Sequence, residues 1–385
     1  MSSPDFAAMG LLDGLETEAR RGRLALLEAL YADGCPAEEL RAATVEGRLA
    51  LLPAERSLGA AGTMSVRGVA AEAGVEPGAL RATRRATGLP LPDDDDAAVL
   101  GAPDLAGARA LASFLDGGLP LDELIEASRV FGEAAARAAA AARTVAVEAL
   151  PRRGDTELEL SMRLRDATRD FVPRAAELLG VLYVLHRREL LRSEFVSAGD
   201  VSAGRLPDVH DVTIAFCDLV GYTRLGERVA ADDLGAIATR LAVLAADAVR
   251  PPVRLVKTLG DAAMLVAPEP DALAHVLLDL MDATGAEGEG FPDVHAGMAH
   301  GPALQRWGDW YGGTVNLAAR LADTAPAGFV LADARVHAHA DDPRLDWAAA
   351  GPKALPGVSA PVDTFTVRRA AAEPDGSGTP RAVGP

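Results

Sequence analysis

The chain has 385 residues, 49% of them hydrophobic and only 4% aromatic, and its formal net charge is −18. This length suits two or three domains with buried cores, and so negative a chain argues against a nucleic-acid-binding surface overall. The two cysteines, Cys35 and Cys217, make no disulfide framework. We expect Cys217 to be a small buried residue in a reducing cytoplasm. With neither a signal-peptide pattern nor a run of about 20 apolar residues, we expect a cytoplasmic protein without a transmembrane segment.

The residue pattern of the first half of the chain predicts helices almost throughout. Apolar residues recur at helical spacing in four stretches: 11–32, 106–114, 121–150 and 157–194. Residues 1–195 are therefore predicted to form an all-α N-terminal domain, followed by a linker over residues 196–210.

Residues 65–89 resemble the helix-turn-helix of DNA-binding regulators. A glycine stands at the turn, and Arg81, Arg84 and Arg85 follow where a recognition helix would contact DNA. Four consecutive aspartates at 93–96 come directly after and would repel phosphates. We interpret the segment as a structural helical unit, with DNA binding as the less favoured alternative.

The next feature is a buried strand that ends in an acid. Residues 212–216 are apolar or β-branched, as in a central strand, and Asp218 stands where the strand emerges. Such a carboxylate can project into a cleft; the simpler alternative is that it caps the helix that follows Gly221.

A hairpin with a second acid at its tip follows. Residues 253–266 contain two β-type runs around a turn that includes Asp261, and residues 232–249 before them have the spacing of an amphipathic helix. This order predicts a ferredoxin-like βαββαβ sheet in which the first hairpin strand runs parallel to the Asp218 strand. Asp218 and Asp261 would then meet at one sheet edge.

Two neighbouring carboxylates repel each other unless a cation lies between them. Oxygen ligands favour Mg²⁺ or Mn²⁺ over Zn²⁺, and a pair of such ions suits phosphoryl chemistry. The stretch 307–320 adds groups that suit a nucleotide. Asn316 and Arg320 are four residues apart, so a helix that begins near Val315 would present both on one face.

These three stretches, in this order and spacing, resemble the class III nucleotidyl cyclases, and most closely the soluble bacterial adenylate cyclases with a helical N-terminal regulatory domain. The resemblance implies an α+β catalytic domain over residues 211–369. The tail at 370–385 is rich in Gly, Pro, Ser and Ala, and we expect it to be disordered. The resemblance makes Asp218 and Asp261 the metal-binding aspartates, with the backbone carbonyl of Leu219 as a further ligand, and implies two Mg²⁺ or Mn²⁺ ions per active site.

The same resemblance assigns the substrate-binding residues. Lys257 and Asp309 fall where the family reads the purine, Asn316 where it orients the ribose, and Arg320 where it stabilises the transition state. Adenine offers ring-nitrogen acceptors to Lys257 and an amino donor to Asp309, so ATP is the expected substrate.

The β- and γ-phosphates are expected at the start of the helix that follows the first metal site. Gly221, Tyr222 and Thr223 open this helix, and free amides at a positive dipole end suit phosphate oxygens. A terminal hairpin also resembles the family's, but its usual lysine is Pro356 here, and whether Lys353 replaces it stays open.

The implied function is an adenylate cyclase that forms 3′,5′-cyclic AMP and pyrophosphate. In the family the metal aspartates and the Asn and Arg come from different subunits, which implies a homodimer with two shared active sites. The helical domain is expected to regulate the enzyme, by autoinhibition and in response to pH or a small lipid-like ligand. His186 is one candidate pH sensor, although a solvated surface histidine is the simpler interpretation.

Two other functions are compatible with parts of the pattern. A catalytically inactive cyclase-like module would bind nucleotide and signal through the helices, but a degenerate site would be expected to lack at least one key residue. Another metal-dependent nucleotidyl transferase on a palm-like sheet would explain the two aspartates, but not the purine-reading pair or the Asn316 and Arg320 pair.

Overall fold

A computed structural model describes residues 4–59, 62–149, 152–193, 209–288 and 290–371 of the protein. The chain divides into two compact units, Met1–Arg192 and Ser193–Pro385. The first is helical and the second contains a mixed sheet with helices, which confirms the predicted all-α and α+β parts. Of the predicted linker, residues 196–208 lie outside the described residues. Residues 372–385 of the predicted tail do so too.

The helical unit contains helices α1 (Thr17–Ala32), α2 (Ala37–Val45), α3 (Leu52–Ser57), α4 (Val66–Ala73), α5 (Pro77–Ala86), α6 (Ala102–Asp116), α7 (Leu121–Ala149) and α8 (Glu157–Ser193), with a 3₁₀ turn at Leu49–Leu51. The prediction that the first helix begins at Leu11 is wrong. Residues 6–14 form turns, because Gly10 and Gly14 both have φ of 73°, which an α-helix does not allow.

Within this unit, α4 and α5 form the predicted helix-turn-helix shape, with Gly74 at the turn in the left-handed conformation. The structure also shows which groups form ion pairs with the arginines of the second helix. Arg81 forms an ion pair with Asp95, and Arg84 forms one with Asp104. Two of the three cations that would face DNA phosphates are thus neutralised internally, which favours the structural interpretation of this segment.

The second unit is built on one sheet. Its strands are β1 (Val209–Leu219), β2 (Arg254–Leu259), β3 (Ala262–Ala267), β4 (Val294–Arg306), β5 (Asp309–Tyr311), β6 (Val330–Asp333), β7 (Leu345–Lys353) and β8 (Val362–Arg369). Its helices are α9 (Tyr222–Leu225), α10 (Ala231–Ala248), α11 (Pro270–Gly285), α12 (Gly313–Thr324) and α13 (Ala334–His339). The strand order is β2-β3-β1-β4-β6-β8-β7, and β5 pairs with β4.

The ferredoxin-like order predicted from the sequence is present. The succession β1-α10-β2-β3-α11-β4 places β3 between β2 and β1, and β3 is antiparallel to both. The first hairpin strand therefore runs parallel to the Asp218 strand, as predicted. The sheet then continues past β4 through β6, β8 and β7, which the sequence argument did not resolve beyond a terminal hairpin.

Alternating residues of β1 face two different cores. Ala215, Cys217 and Leu219 join a buried cluster with residues of α10 and α11, whereas Val212 and Ile214 join a cluster with residues of α12. Asp218 has the same alternation as Val212 and Ile214, so it lies on the face of the sheet that α12 covers.

The cysteines fit the sequence prediction. Cys35 and Cys217 are both buried and free, and burial raises the pKa of each thiol to about 12, so both are neutral. Among the described residues, none of the helices has the length and apolar character that a membrane crossing requires.

Candidate active site

Asp218 and Asp261 lie next to each other at one end of the sheet. Asp218 stands near the end of β1 opposite Ala262 of β3, and Asp261 precedes Ala262 in the β2–β3 turn. The turn is possible because Gly260 adopts φ of 62°. The Leu219 amide donates a hydrogen bond to the Asp261 carbonyl oxygen at 3.1 Å, which ties the strand end to the hairpin tip.

The charge environment of this pair fits a cation site. Burial, and then the negative charge of Asp261, raise the pKa of Asp218 to about 6, while the nearby His295 opposes this shift. Within the part of the chain that the structure describes, the buried Oδ1 atom of Asp218 accepts no hydrogen bond. An unpartnered carboxylate oxygen beside a second carboxylate is a donor set that suits Mg²⁺ or Mn²⁺.

Two side chains do not complete a coordination shell. Among the described residues, no group of three or more His, Cys, Asp or Glu side chains could hold a metal ion. The further oxygen ligands would have to be backbone carbonyls, such as that of Leu219, together with water and substrate phosphates, a mixture that Mg²⁺ commonly accepts.

The predicted purine-reading pair is in contact. Lys257 of β2 and Asp309 of β5 are 52 residues apart in the chain, and their side chains form an ion pair that is partly exposed to solvent. The second carboxylate oxygen of Asp309 accepts a hydrogen bond from the Trp310 amide at 2.9 Å. A cationic donor and an anionic acceptor are therefore held side by side, which suits a ring that offers both an acceptor and a donor.

Asn316 and Arg320 occupy the exposed face of α12. The helix begins at Gly313, and its opposite face is buried through residues that include Ala318 and Leu321. Within this chain the Arg320 guanidinium pairs with Asp323 at 3.3 Å, rather than with Asp218 or Asp261. The side chain of Arg320 is about half exposed, at 49%. The predicted pair therefore shares one helix face, and that face is turned toward solvent.

Close backbone contact fixes α12 on β4. A Cβ atom at Gly297 would lie 2.0 Å from the Ala322 nitrogen and 2.4 Å from the Ala318 oxygen. At the start of the helix, the Thr314 hydroxyl donates a hydrogen bond to the Pro302 carbonyl oxygen at 2.8 Å. These two contacts, one at the start of the helix and the other at Ala318 and Ala322, define where Asn316 and Arg320 stand relative to the sheet.

The predicted phosphate-binding residues open α9, directly after β1. Gly221 is the N-cap in the left-handed conformation, with φ of 71°. The hydroxyl of Tyr222 donates a hydrogen bond to the Leu234 carbonyl oxygen at 2.9 Å, so this side chain is directed toward α10. Any contact of Tyr222 with phosphate would therefore be made by its backbone amide, and Gly221, which has no side chain, would also use its amide.

Sequence reasoning missed two residues that shape this site. His295 is the residue of β4 that stands opposite Asp218 of β1 in the strand register, and its Nδ1 atom lies 2.9 Å from the Ala325 carbonyl oxygen. No signal in the sequence distinguishes it from an ordinary strand residue. Gly297 did give a signal, because a glycine inside a buried strand often marks the close approach of another backbone.

Comparison with known proteins places both units. The family described as adenylate cyclase regulatory domain matches residues 4–191. The pH-sensitive adenylate cyclase of Mycobacterium tuberculosis is 38% identical over 367 residues, which is 94% of this chain and 91% of that protein. An adenylate cyclase of Streptomyces coelicolor is 34% identical over 238 residues, 60% of each protein.

A solved structure of an adenylyl cyclase from P. aeruginosa covers 43% of this chain and 96% of its own, with 20% identity and a TM-score of 0.35. The fold assignment rests instead on the strand order given above. The decisive comparison is the identity of 38% across nearly the whole of both chains. The chain belongs to the adenylate cyclase family, as a class III cyclase with an N-terminal adenylate cyclase regulatory domain.

Proposed function

We propose that this protein converts ATP to 3′,5′-cyclic AMP and pyrophosphate. The observation that carries the proposal is the buried, unpartnered carboxylate oxygen of Asp218 beside Asp261. It lies on the same sheet as the Lys257–Asp309 pair. These are the groups that a purine nucleoside triphosphate and its divalent cations require. The relatives named adenylate cyclase support the same substrate.

The reaction needs positioning and charge stabilisation more than covalent help. The ribose 3′-oxygen loses its proton and bonds to the α-phosphorus of the same nucleotide, while the bond from that phosphorus to the bridging oxygen breaks and pyrophosphate leaves. Lys257 and Asp309 hold the adenine, and Asn316 orients the ribose. Arg320 donates hydrogen bonds to the α-phosphoryl oxygens, where negative charge develops.

Asp218, Asp261 and the Leu219 carbonyl would hold two Mg²⁺ or Mn²⁺ ions. Such ions lower the pKa of an attacking hydroxyl group and stabilise a leaving phosphate oxygen. The amides of Gly221, Tyr222 and Thr223 would bind β- and γ-phosphate oxygens beside this site.

Two copies of the chain would share the active sites. Asn316 and Arg320 are exposed, and Arg320 pairs with Asp323 of its own helix. A head-to-tail two-fold dimer would bring these two groups from one chain to Asp218 and Asp261 of the other. Each dimer would contain two equivalent sites, and a monomer would be inactive.

The helical unit is proposed to regulate this dimer by autoinhibition. It matches the adenylate cyclase regulatory domain family, and one relative is named pH-sensitive. Small rotations between catalytic units would separate the aspartates of one chain from Arg320 of the other, so helices that alter this placement would control the rate. A pH change or a small ligand bound to the helical unit would be the signal.

The proposal is tested by measuring cyclic nucleotide formation by the purified full-length protein. ATP and GTP are compared with Mg²⁺, with Mn²⁺ and with a chelator. We expect cyclic AMP from ATP with either ion and none with the chelator. Nucleotide binding without product under every condition would favour the inactive sensing module instead.

Asp309→Asn is expected to reduce the preference for ATP over GTP by about tenfold, because an amide can donate a hydrogen bond to guanine O6 where a carboxylate cannot. The kcat/KM values for both nucleotides provide the measurement. Asp363→Asn, at an exposed position of β8, serves as the matched control and should leave the ratio unchanged. An unchanged ratio in Asp309→Asn would remove this residue from base recognition.

A further inference from the structure

A cleft in the helical unit is lined by three arginines. The cleft has a volume of about 450 Å³, and its walls come from the end of α1, from α3 and from the first half of α8. Arg56 belongs to α3, whereas Arg165 and Arg169 stand four residues apart in α8 and so lie on one face of that helix. The catalytic reaction proposed above uses none of these arginines.

Much of the hydrogen-bonding capacity of the three guanidinium groups is unused, because each carries several N–H donors in a planar fork. Arg56 pairs with Glu39 at 2.7 Å and Arg165 pairs with Asp166 at 2.9 Å, in each case through a single carboxylate oxygen. Among the described residues, Arg169 has no hydrogen bond or ion pair. Most of the donors around the cleft are therefore free for solvent or a ligand.

Two of the arginines are largely withdrawn from solvent. The exposed fraction of the side chain is 25% for Arg56 and 31% for Arg165. Partial burial reduces screening by water and salt, so an anion held in the cleft would interact with these guanidinium groups more strongly than on an open surface.

The remaining lining residues give the cleft a different character away from the arginines. Leu30 of α1 and Pro53 of α3 are buried and contribute apolar wall. Asp33, directly after α1, is the acidic member of the lining. Its carboxylate repels an anion but accepts hydrogen bonds from hydroxyl groups. A ligand that fits both parts therefore has an anionic group at one end and hydroxyl groups at the other.

The number of guanidinium groups favours a phosphate monoester over a carboxylate as the anionic group. A single arginine fork already satisfies both oxygens of a carboxylate. A phosphate monoester has three terminal oxygens and a charge of about −1.5 to −2 near neutral pH, so it suits several guanidinium groups from two helices. The cleft also has the volume of a small-molecule site, which is typically about 300–1,000 Å³.

We propose that this arginine cleft, formed by Arg56, Arg165 and Arg169, binds a sugar phosphate. The phosphate accepts hydrogen bonds from the three guanidinium groups, and a sugar hydroxyl group donates one to Asp33. The ligand bridges α1, α3 and α8 and so stabilises the helical unit. The inference builds on the proposed regulatory role by naming a class of soluble ligand, but the binding itself depends neither on regulation nor on cyclase activity.

The test is calorimetric titration of the full-length protein with ribose 5-phosphate, at constant pH and without nucleotide or divalent metal. This probe has the phosphate monoester and the hydroxyl groups, but no base for the Lys257–Asp309 pair. Inorganic phosphate and ribose are the comparison ligands. We expect ribose 5-phosphate to bind at least about tenfold more tightly than inorganic phosphate, because a hydrogen bond to a charged group contributes on that scale. Ribose should not bind measurably.

Arg169→Gln and Arg165→Gln should each weaken the binding of ribose 5-phosphate by about tenfold or more, since each removes a charged donor to the phosphate. Arg169 is exposed and unpaired among the described residues, so its replacement should leave folding intact. Arg174→Gln is the matched control, because Arg174 is exposed on the same helix but does not line the cleft. It should bind the probe as the wild type does.

Asp33→Asn tests the other end of the cleft with a different sign. Loss of the negative charge should strengthen the binding of inorganic phosphate, because repulsion is removed. The same change should narrow the preference for ribose 5-phosphate over phosphate, because an amide oxygen is a weaker acceptor than a carboxylate for the sugar hydroxyl group.

A second readout is the thermal midpoint of the helical unit. Ribose 5-phosphate should raise it in the wild type and in Arg174→Gln, but much less in Arg169→Gln, since a ligand that binds only the folded state stabilises that state. The inference is overturned if ribose 5-phosphate does not bind, if it binds no more tightly than inorganic phosphate, or if Arg169→Gln binds it as tightly as Arg174→Gln. Should Arg165→Gln fail to fold, Arg169→Gln alone decides. Because no step uses catalysis, failure here leaves the cyclase function standing, and an inactive enzyme leaves this inference standing.

Discussion

Arg320→Ala is expected to lower kcat for cyclic AMP formation by about two to three orders of magnitude, because loss of one preorganised donor to a developing oxyanion typically costs roughly 3–4 kcal/mol. Arg320 lies on the exposed face of α12 and is not part of a buried core, so the substitution should leave folding intact. The effect should appear mainly in kcat, since the guanidinium acts where charge develops in the transition state.

The ion pair of Arg320 provides a matched control. Asp323→Asn removes the carboxylate at 3.3 Å but leaves the guanidinium in place. The pair is solvent-exposed, and such pairs contribute about 1 kcal/mol or less, so Asp323→Asn should change kcat by no more than about fivefold. A similarly small effect of Arg320→Ala would remove this residue from the transition state.

Asp218→Asn is expected to lower activity by about three orders of magnitude, because metal-ion charge stabilisation contributes several kcal/mol to such reactions. Without metal, the same substitution should raise the thermal midpoint, since it removes a buried charge beside Asp261. Activity with Mg²⁺ and Mn²⁺, and unfolding in the presence of a chelator, measure the two effects separately.

A loss of activity together with a gain in metal-free stability distinguishes a metal ligand from an aspartate with a structural role. Asp232→Asn, at an exposed position of the first turn of α10, is the control and should alter neither quantity appreciably. If Asp218→Asn keeps wild-type activity, the two carboxylates do not form the metal site. If it lowers both activity and the metal-free midpoint, Asp218 has a structural role instead.

Local patterns predicted the elements that carry the catalytic residues. The apolar run before Asp218, the helix of residues 231–248 and the turn at Gly260 each have a strong signal of their own, and the handedness of the crossover then fixes the direction of β2. The placement of Asn316 and Arg320 on one face also follows from helical spacing. The contact of Lys257 with Asp309 does not, because it joins residues that only the folded sheet brings together.

Periodicity could not predict the histidines. His295 and His300 stand in a strand of small and apolar residues, and their partners Asp218, Thr213 and His339 come from other elements. The arginines of α5 show the same limit, since only the structure reveals that Arg81 and Arg84 pair with acids that follow them in the chain. Such pairings depend on tertiary geometry, which spacing along the sequence does not encode.

The most direct test of shared active sites combines the two inactive variants in one dimer. Asp218→Asn and Arg320→Ala chains with different affinity tags are produced together, and the mixed dimer is isolated through both tags. One of its two sites would then receive an intact Asp218 from one chain and an intact Arg320 from the other. We predict about half of the wild-type cyclic AMP activity per dimer, because one of two equivalent sites is complete. Activity no higher than that of either parent variant would contradict a dimer in which each active site draws on both chains.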